Sequence, residues 1–349
     1  MPDKSLVEYW INGGLEELLE SLDEPKYRAG QVSGWLAGGT PIENASNLPA
    51  ALRRGLSAAH PSFSLDIDNK FEEQKSSVKK YLYKTFDGII IESVFLPYDK
   101  ADAICISTQA GCNMGCLFCS SGRDGCIRNL DNHEMLSQLL LMRGSESSKI
   151  PNIVLMGSGE PLENYLNVKS FIDFVCSQKS LLYSKRRITL STCGLPNGIY
   201  RMIADNLFVN LAVSLHSAIQ EQRDELMPAM RAFPLAKLAK SVADFRSASG
   251  RRVTYEYAVI DGYNDSPKNA NALASLLAGS DALVNLIDAS PSNFNPIPNS
   301  KNALARFAMM LKDKGIEHTM RRKLGSSINA ACGQLVSYKK FYNDDNNEA

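Results

Sequence analysis

From residue 103 onward the chain alternates between two hydrophobic periods, and that alternation restricts its fold more than any other feature. Runs with strand character occur at AICIST (103–108), NIVLMG (152–157), RRITLST (186–192), VNLAVSLH (209–216), RRVTYEYAVI (251–260), ALVNLID (282–288) and EHTMRR (317–322). Between them lie HEMLSQLLLM, VKSFIDFVC, LAKLAKSVADFR, NALASLLA and NALARFAMMLKDK, whose apolar residues recur at helical spacing. Strand and helix taking turns in this way predict parallel βα units and an α/β fold. In such barrels the loops after the strands carry the chemistry.

Two other regions precede this one. Residues 1–62 read as short helices separated by turns, with basic positions at Lys26, Arg28, Arg53 and Arg54. Within residues 74–98 the stretch SVKKYLYKTFDGIIIESVFLPY alternates around a DG pair, which predicts a β-hairpin extension. The domain that follows runs over 99–341, and 342–349 form a polar, frayed tail. With 38 basic and 38 acidic residues the formal net charge is zero, so bulk electrostatic adhesion to nucleic acid is excluded while a local basic surface is not. The pairs at 186–187 and 251–252 and the triplet 321–323 are the candidates for phosphate contacts. The start MPDKSLVEYW has no signal-peptide pattern, and no apolar run is long enough to span a bilayer, so the expectation is a cytoplasmic protein away from membranes.

Eight cysteines are too few for a disulfide scaffold in 349 residues. Three of them form CNMGCLFC, at Cys112, Cys116 and Cys119, directly after the first strand of the alternating region. A zinc site usually takes a second cysteine pair or histidines, and the chain has only four histidines. Three thiolates on a [4Fe–4S] cluster leave one iron open to a further ligand. Phe118 could shield such a cluster, and Cys176, inside an apolar helical run, reads as a small buried hydrophobe.

CNMGCLFC is similar to the signature of the radical S-adenosylmethionine enzymes. Over nearly the whole chain the sequence further resembles one branch of them, the adenosine C2-methyltransferases of ribosomal and transfer RNA and the related C8-methyltransferase. The stretches that carry the resemblance are YRAGQ (27–31), IESV (91–94), CISTQAGCNMGCLFCSSG (105–122), RNL (128–130), LMGSGEPLENY (155–165), ITLSTCG (188–194), LAVSLHS (211–217), RDELMP (223–228), YEY (255–257), NDS (264–266), VNLI (284–287) and AACGQL (330–335).

The resemblance implies a partial (β/α)6-type radical SAM barrel, a [4Fe–4S] cluster on Cys112, Cys116 and Cys119, and S-adenosylmethionine as cofactor. It implies cofactor contacts from Gly159, Glu160, Ser191, Ser214, Leu215 and His216, and from Ser290 or Asn295. Cys332 takes the part of the methyl acceptor, Cys105 of the resolving thiol and Glu92 of the proton acceptor. The implied substrate is 23S rRNA, with tRNA as a second, methylated at adenosine C2. C8 methylation and a non-catalytic iron–sulfur RNA-binding homologue are the alternatives. The implied protein is a monomer fed by an electron donor such as flavodoxin or ferredoxin. Ser158, Met230, Ser326, Ser327 and Asn329 depart from the family's usual residues, and they bear on the choice of RNA substrate.

Overall fold

The computed structural model describes residues 4–146, 150–288, 302–321, 324–336 and 338–339. Four short helices open the chain: α1 (Leu6–Ile11), α2 (Leu15–Glu20), α3 (Arg28–Ala37) and α4 (Ala50–Ala59). Their apolar faces bury Leu6, Leu19, Leu36 and Leu56 completely. The module is seated on the rest of the molecule through Trp10, which meets Phe174 edge to face at 5.1 Å. Gly39 also comes so close to Gly144 that a Cβ would stand 2.8 Å from its Cα.

Three antiparallel strands follow: β1 (Leu65–Glu73), β2 (Val78–Thr85) and β3 (Ile89–Leu96). The DG turn at Asp87–Gly88 joins β2 to β3 as the sequence predicts, with Gly88 at φ +78°. β2 and β3 are the expected hairpin, and β1 adds a third strand that makes the extension a meander. β1 lies outside the hairpin expectation: it is an edge strand exposed along nearly its whole length, and its alternation of Leu65, Ile67 and Phe71 is broken by Asn69 and a register shift between Ile67 and Asn69.

β4 (Ala103–Cys105) begins the βα series, and β5 (Gln109–Gly111) and β6 (Cys126–Asn129) then pair as a small antiparallel ribbon. The series continues with α5 (Asn132–Glu146), β7 (Asn152–Leu155), α6 (Tyr165–Ser177), β8 (Ile188–Thr192), α7 (Pro196–Ala204), β9 (Asn210–Ser214), α8 (Gln220–Leu226) and α9 (Leu235–Ser249). It ends with β10 (Thr254–Val259), α10 (Pro267–Leu277), β11 (Leu283–Asp288), α11 (Ala303–Asp313), β12 (His318–Met320) and β13 (Tyr338–Lys339). β4, β7, β8, β9, β10, β11 and β12 are neighbours in that order and all parallel. The antiparallel meander extends this sheet beyond β4, and β13 pairs with β3.

The parallel βα units are those the alternation predicts, and they form the open, partial (β/α) barrel that the resemblance implies. Its core lies between sheet and helices, built on Leu139, Leu155, Phe171, Ile188, Leu190, Val213, Phe245 and Tyr257. α7 carries Pro196 and Gly198, which hide its helical signal. Proline fits the first turn, and Gly198 lets the helix approach Leu162, where a Cβ would stand 2.8 Å from the Leu162 Cβ. Among the described residues no helix is long and apolar enough to cross a membrane.

Candidate active site

The β5–β6 ribbon brackets the cysteine loop at both ends. Cys112 N–H bonds the Gly125 carbonyl at 2.9 Å, and Gly111, at φ +86°, passes so close to Gly125 that no side chain fits there. The loop therefore leaves β4 through a ribbon that fixes where its thiols point. Leu117 N–H donates to the Leu226 carbonyl at 3.0 Å, which ties the loop to the C-terminal end of α8.

Cys112, Cys116 and Cys119 line one open cavity of about 1000 Å³, its mouth included, together with Gly159, Glu160, Ser191, Ser214, His216 and Cys332. Six strand ends contribute to it, as the parallel barrel requires. Burial raises the pKa of the Cys112 thiol well above its ordinary value and raises that of Cys119 as well. Among the described residues no three metal-binding side chains converge tightly enough for a single metal ion. A cluster asks for something else, one thiolate per iron, so its ligands surround a volume instead of meeting at a point.

Glu160 is buried, and its carboxylate takes two backbone donors, Leu162 N–H at 3.0 Å and Cys193 N–H at 2.6 Å. Burial raises its pKa, while those two bonds and others from Thr192 and Cys193 oppose the rise. Gly159 sits at φ +105°, and a Cβ there would lie 2.6 Å from the Gln109 Cβ. GSGEP is thus not merely a turn: its backbone is pressed against β5. His216 has φ +56°, and its Nδ1 accepts the Ala258 N–H at 2.9 Å. Burial drives its pKa down to about 3. The ring is therefore neutral, with its proton on Nε2. Phe118 packs against it with ring centroids 4.4 Å apart.

Cys332 lines a second, smaller pocket as well, shared with Cys105, Met156, Arg321 and Leu335. All described cysteines are free thiols. Burial, then the nearby Cys332, pushes the Cys105 thiol up to about 12, with Arg321 acting in the opposite direction. The segment carrying Cys332 is pinned to the cysteine loop itself: Ser120 N–H donates to the Gly333 carbonyl at 2.7 Å, and Ser121 Oγ to the Leu335 carbonyl at 2.7 Å. Ser158, one of the departures from the family pattern, extends this chain by donating to Ser121 Oγ at 3.2 Å. Glu73 of β1 holds the other end through the N–H of Gly325 and the N–H and hydroxyl of Ser327. Ser327, another of the departures, is thus held by a carboxylate of the meander. Met230 packs behind the loop with Met114 and Cys116.

Other expected positions fall elsewhere. Leu215 is wholly buried in the barrel core. Glu92 does not line the cavity: one of its oxygens accepts Lys80 Nζ at 3.1 Å and the other Val336 N–H at 3.0 Å. Ser290 and Asn295 lie outside the described residues. The arginine pairs at 186–187 and 251–252 precede β8 and β10, on the end of the barrel opposite the cavity, so they do not flank its mouth. Arg321 faces inward between Cys105 and Cys332 instead of presenting itself to phosphate.

The sequence reading missed the polar residues that position these groups. Asn264, buried, donates to the carbonyls of His216 and Ala258 and accepts Ile260 N–H, all within 2.8 Å, and so holds the His216 turn. Gln138 of α5 bonds both backbone groups of Ser107, and Asn164 clamps Thr108 to Leu130. Asn264 stands in NDS and Asn164 in LMGSGEPLENY, so both were in view as motif members without a role.

Comparison with known proteins accords with this geometry. The radical SAM superfamily model matches residues 106–272. A probable dual-specificity RNA methyltransferase RlmN of Caldicellulosiruptor saccharolyticus is 42% identical over 345 residues, 97% of this chain and 98% of that protein. The chain belongs to the RlmN family of radical SAM methyltransferases. The RlmN-type protein of Pelotomaculum thermopropionicum is likewise 42% identical, over 92% of this chain and 89% of its own. A solved radical SAM methyltransferase from Sphaerobacter thermophilus shares the architecture with a TM-score of 0.88 and 36% identity, covering 95% of this chain and 99% of that one. As a member of the RlmN family the chain is an S-adenosylmethionine-dependent methyltransferase.

Proposed function

We propose that the protein methylates C2 of an adenosine in 23S rRNA, and in tRNA as the second substrate of a dual-specificity enzyme, by way of a methyl group carried on Cys332. The observation that carries this reading is that Cys332 lines two pockets at once, one with Cys112, Cys116 and Cys119 and one with Cys105. The residues present fit a cluster: Cys112, Cys116 and Cys119 line one cavity, three thiols around a shared volume with, among the described residues, no fourth cysteine of the loop beside them to close the set. Cys112, Cys116 and Cys119 would hold a [4Fe–4S] cluster, with S-adenosylmethionine against Gly159, Glu160, Ser191, Ser214 and His216. When bound, these groups supply the organic radical needed to functionalise a carbon too weakly nucleophilic for direct displacement.

The protein's own residues do the rest. Glu160 has lone pairs left to accept an ammonium, and neutral His216 offers an N–H donor. The Cys332 thiolate takes a methyl group by displacement at a sulfonium and becomes a methyl thioether. Loss of one hydrogen atom from that methyl to the organic radical leaves a carbon radical, which bonds to adenine C2, and the adduct then passes one electron to an acceptor of the iron–sulfur class. Glu92 takes the ring proton; to reach it, its oxygen must part from the Val336 N–H. Cys105 then gives up its proton, which is returned to the methylene carbon at the end of the step, and attacks the Cys332 sulfur. The disulfide forms, the C–S bond breaks with its electron pair going to the methylene carbon, and protonation there completes the methyl group. Burial keeps Cys105 a thiol at neutral pH, which guards against premature attack. The helical module within 1–62 serves RNA binding in this reading, with the barrel and its cysteine segment over 99–341 as the catalytic part.

The test is nucleoside mass spectrometry of rRNA and tRNA from cells lacking the modification, incubated anaerobically with reconstituted protein, reductant and S-adenosylmethionine. We expect 2-methyladenosine with the intact protein and none with Cys332→Ala. An 8-methyladenosine product, or no new methyladenosine despite cofactor cleavage, overturns the reading.

A further inference from the structure

The reaction above leaves one charged side chain of the cavity wall without a task. Arg321 follows β12, and its backbone N–H donates to the Leu286 carbonyl at 2.8 Å, so the barrel edge fixes where it stands. It lines both pockets, as do Cys332 and Met156. The guanidinium end itself lies at this shared wall, with Nη1 3.9 Å from the Met156 sulfur. A thioether is a weak acceptor. Among the described residues the side chain has no other hydrogen-bond partner and no carboxylate within ion-pair distance. Arg128 and Arg306, by contrast, are each paired with two carboxylates. Arg321 thus brings unused N–H donors to the wall where Cys332 stands.

The two pockets differ in what lines them, and that difference says which acceptor the donors meet. Gly159, Glu160, Ser191, Ser214 and His216 line only the larger one. Cys105 lines only the smaller one. A base that bonds to the carbon on Cys332 and is released by Cys105 must lie at the wall the pockets share, beside this guanidinium. Among the described residues that line either pocket, Arg321 is the sole permanent cation, since His216 is neutral. Negative charge at Cys332, above all, raises the Arg321 pKa; burial opposes the rise, and Glu256, Tyr98 and Cys105 add to it. Adenine C2 lies between N1 and N3, two ring nitrogens that accept hydrogen bonds.

We propose that Arg321 is a catalytic residue of the methyl transfer, its guanidinium donating a hydrogen bond to the adenine ring nitrogen beside C2. The inference rests on the reading of Cys332 given above. A carbon radical attached to sulfur is electron-rich and adds fastest to an electron-poor ring carbon. A charge-assisted N–H bond to the neighbouring nitrogen draws electron density from C2 and stabilises the ring that holds the unpaired electron after the bond forms. No proton is transferred: the arginine stays a cation, and the bond made is the methylene–C2 bond already described. An arginine present only to hold the wall would affect folding and Cys332 methylation, not the addition step alone.

The experiment uses the reconstituted full chain carrying Cys105→Ala, in which the adduct between Cys332 and RNA is not resolved and accumulates. Beside it stand the same protein with Arg321→Met and with Arg321→Lys, with methylated Cys332 and 5′-deoxyadenosine measured for each by mass spectrometry. In a single turnover at saturating RNA, Arg321→Met should form the adduct about a hundredfold more slowly, with Cys332 methylated and S-adenosylmethionine cleaved as before. Arg321→Lys, which keeps a cationic donor, should recover part of that. An unchanged adduct rate overturns the proposal. So does loss of Cys332 methylation, which makes Arg321 a partner of the thiolate, or weaker RNA binding with the adduct rate unchanged, which makes it a backbone contact. A second measurement leaves Arg321 intact and places 1-deaza- or 3-deazaadenosine at the adenosine identified by the nucleoside mass spectrometry above. One of the two analogues should slow adduct formation comparably, and Arg321→Lys should then bring little further loss. Equal rates with adenosine and both analogues overturn the proposal even if Arg321→Met fails to fold. Absence of methylated Cys332 from the protein that keeps Arg321 overturns the reading of Cys332 itself, and this inference with it.

Discussion

Replacing Lys80 by Met puts the Glu92 site under the most direct strain. Lys80 Nζ lies 3.1 Å from Glu92, with the two side chains only 9% and 3% exposed. Breaking such a pair on one side leaves a buried charge uncompensated, which costs about 3–5 kcal/mol. The remaining support for the carboxylate is the single Val336 N–H. Burial already raises the Glu92 pKa, with Lys80 the largest opposing influence, so removing Lys80 raises it further. A carboxyl whose folded pKa lies above its unfolded one loses stability as pH rises, because the folded state then binds the extra proton. The deficit of Lys80→Met relative to wild type should therefore grow from pH 5 to pH 8, by at most about 1.4 kcal/mol per pH unit. Urea unfolding of both proteins across that range measures it. Adding Glu92→Gln should restore most of the loss, since the lone buried charge is then gone. A deficit below about 1 kcal/mol, or one independent of pH, would refute the view of Lys80–Glu92 as an electrostatically coupled buried pair.

Asn264→Ala removes three buried hydrogen bonds around His216 and should cost about 3 kcal/mol at roughly 1 kcal/mol each, with cofactor binding weakened beyond what the stability loss explains; chemical denaturation and S-adenosylmethionine titration check the two parts. Gly159→Ala should destabilise by about 1–3 kcal/mol through the collision with Gln109 and its positive φ, and should lower cofactor affinity; unchanged stability would count against the close approach. The hydroxyl of Ser327, then that of Ser76, holds Glu73 down at about 2 from its ordinary 4.5. Its contribution to stability is present above pH 4.5 and lost as pH falls toward 2, so the melting-temperature gap between wild type and Glu73→Gln should close over that interval. Ser121→Ala should loosen the Cys332 segment, seen as faster hydrogen exchange at residues 333–336, with the fold otherwise unchanged.

The alternating periods and CxxxCxxC were enough to specify parallel βα units and a thiol-rich loop at a strand end, because both are local: a strand, a helix and a ligand spacing each fit within a few residues. Edge strand β1 was invisible for the opposite reason. It is held by pairing with β2, and its short alternation of Leu65, Ile67 and Phe71 is interrupted by Asn69 and by a register shift. Arg186, Arg187, Arg251 and Arg252 were legible as basic pairs, yet which end of the barrel they occupy depends on strand direction. Arg223, Asn264, Lys80 and Gln138 are ordinary polar letters until the chain closes. Their roles come from partners far away in sequence: Lys80 on Glu92, Gln138 on Ser107, Arg223 on the Cys193 carbonyl. The sequence alone marked which thiols are candidates for the chemistry, because CxxxCxxC and AACGQL are local motifs. Only the tertiary structure decided that Cys332 stands between Cys105 and the three-cysteine loop, because burial and long-range hydrogen bonds exist only once the barrel has formed.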